Sequence, residues 1–587
     1  MSRFSRRQVL GMLGVGLATP YSAGLSRTAG GLSNTDSTSA DQVFSLSVMS
    51  GDPSPSGVVL WTRIDPHAYV EGRPLGFQVA QDPAFRVIAF EGTIGSEQIG
   101  SARDYTVTVD LDGRLLPGMR YYYRFIYGGV SSRRGRCRTA PHPALGARSL
   151  RFAVLSCQDY TNGYYGAFRT LSQRDDVDFV IHLGDFIYES AADPRFQFLP
   201  FEDRQLVLPS GGSVALDLED FRHIYRTYRS DPDFQRCLEN HTFIVVWDDH
   251  ETANDAYWDY ERDTLGAPDH PFTLDPAYGN DAGRLRRLAL DARRAWLEYV
   301  PARVKINRDA SHPHDFVQIY RKLEFGGLLD LFMTDGRSYR SPHPCGEGVF
   351  GERFVPQNCD FYQAPERTML GPAQRDWLVQ ETLRSRAQWQ VWGNQVLMAE
   401  LSVGRGGQAL PLNVDAWDGF QAERQFIAEE MRGIRRPNLV VLTGDFHSYV
   451  VSYLKVNYGR DINHNPLNTI GVEFMTTSVT SAGGLDQINA ALSLSQRQPI
   501  LDLAVGQGLI QSLNPHIRLA DLSQHGYSVI EFNHRYCEWT AYVVDKNRRG
   551  PIPPRERVYR KYRHYAGTDD LDELPAWGPV DRVTRWL

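Results

Sequence analysis

Residues 179–188 read FVIHLGDFIY, an apolar run that ends abruptly in a glycine and an aspartate. Residues 151–159 read RFAVLSCQD and follow the same pattern, with the change from apolar to polar at Ser156. Short unbroken apolar runs of this kind are typical of strands that are buried on both faces of a parallel sheet. The two stretches therefore predict neighbouring strands of an α/β sheet with a helix between them.

The same pattern recurs four more times along the chain. The stretches are 243–251 (FIVVWDDHE), 328–337 (LLDLFMTDGR), 389–394 (WQVWGN) and 439–447 (LVVLTGDFH). Helical patterns fit around residues 164–174, 283–299 and 371–384. Ligands of α/β sheets bind beyond the carboxyl ends of the strands. Six strand ends that carry Cys, Asp, Tyr, Asn, Arg and His therefore predict a functional site at one rim.

The composition is that of an ordinary globular protein, long enough for several domains. The 587 residues (66.5 kDa) are 42% hydrophobic, 23% charged and 12% aromatic, which argues against a disordered, collagen-like or coiled-coil chain. The net charge is −7 and no basic block stands out, which disfavours a nucleic-acid-binding protein. The only long apolar run lies at the N-terminus, so a protein with several membrane spans is disfavoured as well.

The N-terminus has the form of an export signal. Residues 5–10 read SRRQVL, a weakly apolar stretch follows at 11–18, and the region 21–24 (YSAG) is rich in small residues. This order defines a secretory signal, and the paired arginines resemble the twin-arginine type, although a basic amphipathic helix is an alternative. We therefore expect residues 1–40 to be a twin-arginine signal peptide and a Ser/Thr/Gly-rich tether. The twin-arginine export machinery is then a partner, and the mature protein is periplasmic or extracellular without a stable membrane anchor.

The remaining chain divides into three segments. Short alternating stretches separated by turns predict an all-β sandwich domain of the Ig or fibronectin type at residues 41–141. A Pro-His-Pro sequence at 141–143 breaks the chain before the α/β pattern, which we assign to a catalytic domain at 149–545. Residues 546–587 form a tail rich in Arg and Pro, to which the sequence assigns no role.

Two further features of the chain carry expectations. Residues 255–279 are polar and aromatic, and their length indicates either a lid near the rim or a disordered insert. Of the six cysteines, Cys345 and Cys359 share one Pro/Gly-rich loop and are the expected disulfide pair.

The first candidate site residues follow the two strands quoted at the outset. Asp185 can bridge two cations because a carboxylate has two oxygens. Tyr188 can return to the same metal after one turn, and a phenolate ligand favours Fe³⁺. Cys157 lies at the end of the preceding strand, where a thiolate would suit the same iron. The alternatives are a helix-capping Asp beside a core Tyr, and an inert buried cysteine.

Residues 248–251 place two carboxylates and an imidazole at a third strand end. Asp249 can bind a metal, while His250 can donate a proton to a leaving oxygen. Asn254 follows closely as a further oxygen ligand. A cluster that only caps a helix is the alternative for this group.

The strands of the second half of the chain add four candidates. Asp445 and His447 alternate, so in an extended segment their side chains face the same way. Asn394 offers a carbonyl oxygen to a hard cation. Arg337 presents a planar fork that fits two phosphate oxygens. The alternatives are ordinary turn residues for the first three, and a structural salt bridge with Asp335 for Arg337.

These motifs together resemble a known family. The order G-D-x-x-Y, D-H-E, G-N-Q and G-D-x-H is similar to that of the calcineurin-like metallophosphoesterase superfamily, including its purple acid phosphatase branch. The chain resembles the PhoD-type alkaline phosphatase family more closely, over roughly residues 1–540. The motifs that carry this resemblance are 156–160 (SCQDY), 182–189 (HLGDFIYE), 247–251 (WDDHE), 393–396 (GNQV) and 476–481 (TTSVTS).

The resemblance implies a fold, a reaction and a set of ligands. The fold would be an α/β metallophosphoesterase-type sandwich, with two sheets flanked by helices, and the reaction phosphate-ester hydrolysis by a hydroxide held on a metal. The cofactors would be one Fe³⁺ and Ca²⁺ ions. The implied iron ligands are Cys157 and Tyr188, with Asp185 as the bridge. The remaining metal ligands are Asp249 or Asn254, together with Asn394, Asp445 and His447. The residues that contact the substrate are Arg337, which holds the phosphate, and His250.

Residues 444–447 (GDFH) depart from the G-H-x-H of the wider superfamily. A carboxylate in place of an imidazole makes the second site harder, which favours Ca²⁺ over zinc.

Two other functions stay open at this point. A phospholipase D-like phosphodiesterase on the same scaffold would need apolar side chains at the mouth of the site, and the aromatic residues of 255–279 could provide them. A non-catalytic surface protein, in which the β-sandwich binds glycans or partners, is the second alternative.

Overall fold

The structure is a computed structural model, and it describes residues 39–144, 146–193, 197, 201–348, 352–354, 356, 359–403, 410–433, 438–459, 468–483, 486, 507–550 and 555–576. The predicted twin-arginine signal and nearly all of the tether, residues 1–38, lie outside the described residues. Within the described ranges, no helix combines the length and the apolar character that crossing a membrane requires.

The first apolar runs form the middle of a large mixed sheet. In the described part of the chain this first sheet has ten strands: β1 (Val48–Ser54), β2 (Gly57–Arg63), β5 (Thr106–Asp110), β9 (Ser149–Leu155), β10 (Phe179–His182), β11 (Thr242–Val245), β25 (Gly526–Asn533), β26 (Tyr536–Val544), β27 (Glu556–Tyr565) and β28 (Leu571–Leu574). Their spatial order is β28-β27-β26-β25-β9-β10-β11-β1-β2-β5, and β9, β10 and β11 run parallel. Every residue of β10 and β11 is buried, as the apolar runs predicted.

The later apolar runs form a second sheet. Its seven described strands are β16 (Arg321–Phe325), β17 (Leu329–Met333), β18 (Trp389–Gly393), β21 (Leu439–Thr443), β22 (Tyr449–Lys455), β23 (Thr469–Met475) and β24 (Ile517–Asp521). Their order is β16-β17-β18-β21-β23-β22-β24, with β17, β18, β21 and β23 parallel. All six apolar runs are thus strands, as predicted, but they are divided three and three between two sheets.

The two large sheets pack against each other through one hydrophobic core. Phe152 of the first sheet meets Phe325 of the second edge-to-face, with ring centroids 5.1 Å apart. Trp389 of the second sheet lies 5.8 Å from Phe532 of the first and donates its indole N–H to the carbonyl of Asn533 at 2.7 Å. The parallel strands of both sheets therefore form one packed unit, and the predicted site residues follow the ends of these strands.

The N-terminal segment is built from strands, as predicted, but it is not separate from the first sheet. A third sheet contains β3 (Leu75–Ala80), β4 (Ile88–Ile94), β6 (Arg120–Tyr127), β7 (Val130–Ser131) and β8 (Gly135–Arg138). It shares a hydrophobic cluster with β1, β2 and β5, so this segment is a sandwich. However, β1 pairs in parallel with β11, with Ser50 opposite Thr242, because both strands are buried and each needs a hydrogen-bonded neighbour.

The C-terminal tail also belongs partly to the first sheet. β27 and β28 lie within residues 546–587, and β27 pairs antiparallel with β26 from Tyr536 to Val544. The expected boundary at residue 545 therefore separates strands that one sheet contains. Tyr559, Tyr562 and His564 of β27 are buried against the protein, which the abundance of Arg in the tail conceals.

The described helices cover the outer faces and the connections. They are α1 (Ala40–Val43), α2 (Gly166–Ser172), α3 (Leu218–Ser230), α4 (Pro232–Asn240), α5 (Pro271–Leu274), α6 (Ala282–Tyr299), α7 (Pro313–Phe316), α8 (Gly371–Arg384), α9 (Gln421–Arg432) and α10 (Gln507–Leu513). The three predicted helices are confirmed as α2, α6 and α8. At the start of α6, the Asp281 carboxylate accepts the backbone N–H of Arg284, which satisfies an end of the helix that would otherwise lack a partner.

Three short antiparallel strand pairs complete the described strands. They are β12 (Tyr257–Asp259) with β13 (Thr264–Gly266), β14 (Lys305–Ile306) with β15 (Val317–Gln318), and β19 (Ser402–Val403) with β20 (Leu410–Pro411). The first pair lies in residues 255–279, so the expectation of a disordered insert there is wrong. Trp258 anchors it, because the indole is 1% exposed and packs on His314 with ring centroids 4.2 Å apart.

The expected disulfide is present. Cys345 and Cys359 are bonded, and the other four cysteines are buried as free thiols.

Candidate active site

The site begins where β9 and β10 end side by side. Val154 of β9 pairs with Ile181 of β10, so the residues that follow both strands leave the same edge of the sheet. The backbone N–H of Cys157 donates to the carbonyl of Gly184 at 3.2 Å. The predicted meeting of Cys157 with Asp185 is therefore confirmed.

Two glycines are required at this edge because other backbone and side-chain atoms approach them. Gly184 has φ +115°, and a Cβ at this position would lie 2.4 Å from the Cβ of Asp248. A Cβ on Gly444 would lie 2.6 Å from the Oγ of Ser156. Both glycines precede an aspartate, so the contact distances explain the G-D pairs of the motifs.

Several candidate residues have left-handed backbone conformations. The φ angles are +58° at Cys157, +55° at Asp185, +62° at Asp445 and +49° at His447. Each such non-glycine residue costs on the order of 1–3 kcal/mol and persists only where the surrounding structure enforces it. Four of them at one edge of the protein indicate that function, rather than stability, selects the conformation.

The first cluster contains a thiol, a carboxylate, an imidazole and a phenol. Ligand atoms of Cys157, Asp185 and His447 all lie within 4.8 Å of one another. The Tyr188 hydroxyl donates to Asp185 Oδ2 at 2.9 Å and lies 3.2 Å from His447 Nε2. His447 Nδ1 donates to the carbonyl of Ala482 at 2.8 Å, which leaves Nε2 as the nitrogen that faces the cluster. Burial lowers the pKa of His447 to about 4, so the imidazole is neutral and able to bind a metal.

Two further clusters adjoin the first, and each neighbouring pair of clusters shares one carboxylate. One contains Asp185, Asp249 and His250, and the other contains Asp248, Asp249 and Asp445. Asp185 therefore belongs to the first two clusters and Asp249 to the last two. Oδ1 of Asp185 and Oδ1 of Asp249 are buried without a hydrogen-bond partner, although buried carboxylate oxygens are normally paired. The donor set therefore fits two neighbouring cations, with sulfur, nitrogen and phenol donors on one side and carboxylate oxygens on the other.

The pKa shifts of the cluster residues are also those expected of buried cation ligands. Burial, with further repulsion from neighbouring carboxylates, raises the pKa of Asp185 well above its usual value. Burial and the nearby Asp248 do the same for the pKa of Asp445. Burial and the adjacent Asp185 raise the pKa of the Cys157 thiol. Cations at these positions would reverse these shifts, because they favour the ionised form of each ligand.

His250 lies beside the clusters and is held by a partner that sequence reasoning missed. Its Nδ1 lies 2.7 Å from Oε2 of Glu189, and its ring packs on Tyr188 with centroids 4.0 Å apart. Burial alone would lower the pKa of His250, but the carboxylates of Glu189, Asp249 and Asp185 outweigh it and raise this pKa well above its usual value. His250 is therefore able to carry a proton. Glu189 follows directly after the G-D-x-x-Y motif, which was the available signal.

Arg337 reaches the site, but its contacts differ from the alternative that we weighed. Its guanidinium donates from Nε to Asp248, from Nη1 to Asp415 at 2.9 Å and from Nη2 to Asp445 at 2.9 Å. Asp335 does not pair with this guanidinium, since its Oδ1 accepts the backbone N–H of Arg337 at 3.1 Å. The salt bridge with Asp335 is therefore wrong, because the turn after β17 aims the side chain toward the metal-ligand clusters.

The two asparagines are tied to protein groups. The Asn394 amide donates to the carbonyl of Val396 at 2.7 Å and accepts the Trp417 indole N–H at 3.4 Å. The Asn254 amide donates to Asp269 at 2.7 Å. Their roles as metal ligands stay predictions.

Two other groups that the motifs contain organise the site. Glu251 accepts the backbone N–H groups of Asp185 at 3.0 Å and of Asp248 at 2.8 Å, so it fixes two strand ends together. Ser481 donates from Oγ to the carbonyl of Cys157 at 2.8 Å, which supports the left-handed turn there.

Asp415 had no motif that marked it, because it lies in an irregular segment and becomes recognisable only through its contact with Arg337.

Comparisons with known proteins agree with this geometry. The model of the PhoD-like phosphatase family matches residues 152–541, and the model of its N-terminal domain matches residues 30–141. Alkaline phosphatase D of Bacillus subtilis (strain 168) is 32% identical over 447 residues, which cover 75% of this chain and 70% of that protein. A solved structure described as the structure of PhoD matches with a TM-score of 0.75 and 26% identity, over 94% of this chain and 95% of that one.

These matches decide between the functional classes that the sequence left open. The family model covers all three clusters and every described strand of the second sheet, so a non-catalytic surface protein is inconsistent with the comparisons. The chain belongs to the PhoD-like phosphatase family and is a phosphoric ester hydrolase.

Proposed function

We propose that this protein is an exported, metal-dependent alkaline phosphatase or phosphodiesterase with one Fe³⁺ and Ca²⁺ at the three clusters. The observation that carries the proposal is the sharing of Asp185 and Asp249 between adjacent clusters of different chemistry. A thiol, a phenol and an imidazole suit a trivalent iron, whereas a site of carboxylates suits a hard cation with flexible coordination. The packing of two large sheets below the clusters supports the metallophosphoesterase-type sandwich as the fold.

The residues divide by ligand type. Cys157, Tyr188, His447 and Asp185 would hold the iron, and Asp249 and Asp445, with Asn394 or Asn254, would hold calcium. When bound, the cations supply an activated water and neutralise charge on the phosphate oxygens.

Arg337 has donors left for the substrate. A guanidinium has five N–H groups. Hydrogen bonds to Asp248, Asp415 and Asp445 use three of them, and Nη2 also lies 3.5 Å from Oδ1 of Asp249, so two N–H groups that make no hydrogen bond remain for phosphate oxygens. Because the side chain is only 4% exposed, charge-assisted bonds that it makes are screened little by water. We assign Arg337 as the residue that orients the phosphoryl group.

His250 is the proton donor of this mechanism. Glu189 engages Nδ1, which fixes the ring and keeps the imidazolium charged. Nε2 is then the nitrogen from which a proton passes to the leaving oxygen.

Export through the twin-arginine route is the second part of the proposal. The SRRQVL sequence at residues 5–10 supports it. The disulfide between Cys345 and Cys359 independently supports a location outside the cytoplasm, since such bonds persist mainly in oxidising compartments.

The phospholipase D-like alternative loses part of its support. It depended on aromatic side chains at 255–279, of which Trp258 is 1% exposed and Phe272 is 3% exposed, whereas Tyr260 is 53% exposed. The two buried side chains serve the core and are not available to line the mouth of the site for a lipid.

A substrate panel on protein loaded with Fe³⁺ and Ca²⁺ tests the proposal. We expect hydrolysis of p-nitrophenyl phosphate or bis(p-nitrophenyl) phosphate, and little action on phosphatidylcholine vesicles. Preference for the vesicles would support the lipid phosphodiesterase, and equal rates with and without both metals would overturn the metal-dependent mechanism. An Asp185→Asn variant is the negative control, since it removes the carboxylate charge that two clusters share.

A further inference from the structure

The loop between Cys345 and Cys359 contains a buried arginine, Arg353, that binds partners of the site residues. Arg353 is 1% exposed, which is rare for an arginine unless its charge is compensated. The disulfide between Cys345 and Cys359 closes the loop at both ends. Among the motifs described above, none accounts for Arg353.

Arg353 binds two carboxylates that hold the turn after β11. Its Nη1 donates to Asp255 at 2.7 Å and to Asp269 at 2.7 Å. The backbone N–H of Asp255 in turn donates to Oδ2 of Asp249 at 2.6 Å. Asp269 also accepts the amide of Asn254. Arg353 therefore holds Asp255, whose N–H group orients Asp249, and Asp269, which binds the neighbouring Asn254.

Another residue of the loop, Glu347, binds Arg353 and begins a second series of contacts toward the site. Nη2 of Arg353 donates to the carbonyl of Glu347 at 2.8 Å. The Glu347 carboxylate lies 2.7 Å from Nδ1 of His343, and Nε2 of His343 lies 2.9 Å from Asp415. Asp415 is the carboxylate that accepts Nη1 of Arg337. The disulfide loop thus contacts Asp255, the partner of Asp249, directly, whereas it reaches Asp415, the partner of Arg337, only through His343, which precedes Cys345.

We propose that Arg353 is a positioning residue for Asp249 and that the Cys345–Cys359 disulfide keeps it in position. Asp255 is buried, so without the guanidinium its charge lacks its ion-pair partner and the turn must rearrange. Asp255 has φ +50°, a conformation that the surrounding contacts have to enforce. Rearrangement of Asp255 removes the N–H group that orients Asp249. The consequence for metal binding rests on the proposed function, whereas the consequence for the turn does not.

Hydrogen exchange on the metal-loaded protein tests the proposal without reference to activity. In Arg353→Met we expect faster amide exchange in the peptide spanning residues 249–259, with unchanged exchange in β10 and β18. Loss of an outer partner of a metal ligand typically weakens metal affinity or activity by about 10- to 100-fold. We therefore expect Ca²⁺ retention and kcat/KM to fall by that factor, while the iron content stays unchanged. Arg353→Lys, which keeps the charge, should recover part of both.

A second variant covers the case in which Arg353→Met fails to fold. Cys345→Ser/Cys359→Ser, and wild-type protein treated with a phosphine reductant, should show the same localised exchange with a smaller loss of Ca²⁺. Arg384→Met is the matched control, since Arg384 is 71% exposed and should change neither measurement.

Two results would overturn the proposal. One is wild-type exchange and Ca²⁺ retention in both loop variants. The other is exchange that rises uniformly across the protein, which would assign the loop a general stabilising role. If the wild type hydrolyses no phosphate ester, the proposed function fails, but the exchange data still decide whether Arg353 positions the turn.

Discussion

Replacement of Arg337 by lysine separates a substrate-binding role from a purely structural one. The guanidinium offers five N–H groups and uses three on Asp248, Asp415 and Asp445. A lysine ammonium has three N–H groups in total, so it has none left for phosphate if it satisfies the same carboxylates. Arg337→Lys therefore keeps the charge but loses the two-pronged contact with the substrate.

The expected magnitude follows from this loss. One charge-assisted pair in a buried site contributes about 2–4 kcal/mol of transition-state stabilisation, or roughly thirty- to a thousand-fold in kcat/KM. Inorganic phosphate should also inhibit the variant at least about tenfold more weakly, since the same two N–H groups bind the product.

Steady-state kinetics with p-nitrophenyl phosphate, phosphate inhibition and the metal content of the same preparations check this prediction. Metal content serves as the internal control, because Arg337 is not a proposed ligand. Arg384→Lys on the surface should behave as the wild type. A variant of Arg337 with near-normal turnover and unaltered phosphate inhibition would show that the guanidinium only neutralises carboxylates.

Three other predictions follow from the site and the core. Tyr188→Phe should abolish the visible charge-transfer band of the iron-loaded protein, because the phenolate bond is its source; a band that persists refutes the assignment. A calcium chelator should remove activity that Ca²⁺ restores, since the ligands are carboxylates; full recovery with Zn²⁺ alone contradicts this. Burial lowers the pKa of His241 to about 4, below its unfolded value of about 6.5. His241 of the unfolded chain therefore binds more protons between these values, and this residue should contribute about 2 kcal/mol to the fall in unfolding free energy from pH 7 to pH 5. His241→Gln should show a smaller drop in thermal midpoint over this range, and an identical drop would refute the cause.

Much of the fold follows from local sequence. The six apolar runs became strands and the three helical patterns became helices, because burial on both faces demands unbroken apolar residues whatever the neighbours are. The G-D pairs located the strand ends correctly, since close approach of Asp248 to Gly184 tolerates no side chain. Convergence of Cys157 and Asp185 followed from the parallel pairing of consecutive strands.

Residues whose role is to compensate charge were not predictable in this way. Glu189, Asp415 and Arg353 act on groups far away in the sequence, and nothing in the local pattern around Asp415 or Arg353 distinguishes them from surface residues. Their function exists only once burial makes each unpaired charge costly, and burial is a property of the packed protein.

The sequence by itself determined the family, the strand ends and most of the candidate metal ligands, because those depend on residue type and short-range spacing. Only the tertiary structure decided which sheet each strand joins and which carboxylates surround Arg337. β1 pairs with β11 and β27 with β26 across segment boundaries that composition had suggested, since a strand edge binds whichever strand presents matching hydrogen-bond groups and a matching apolar face.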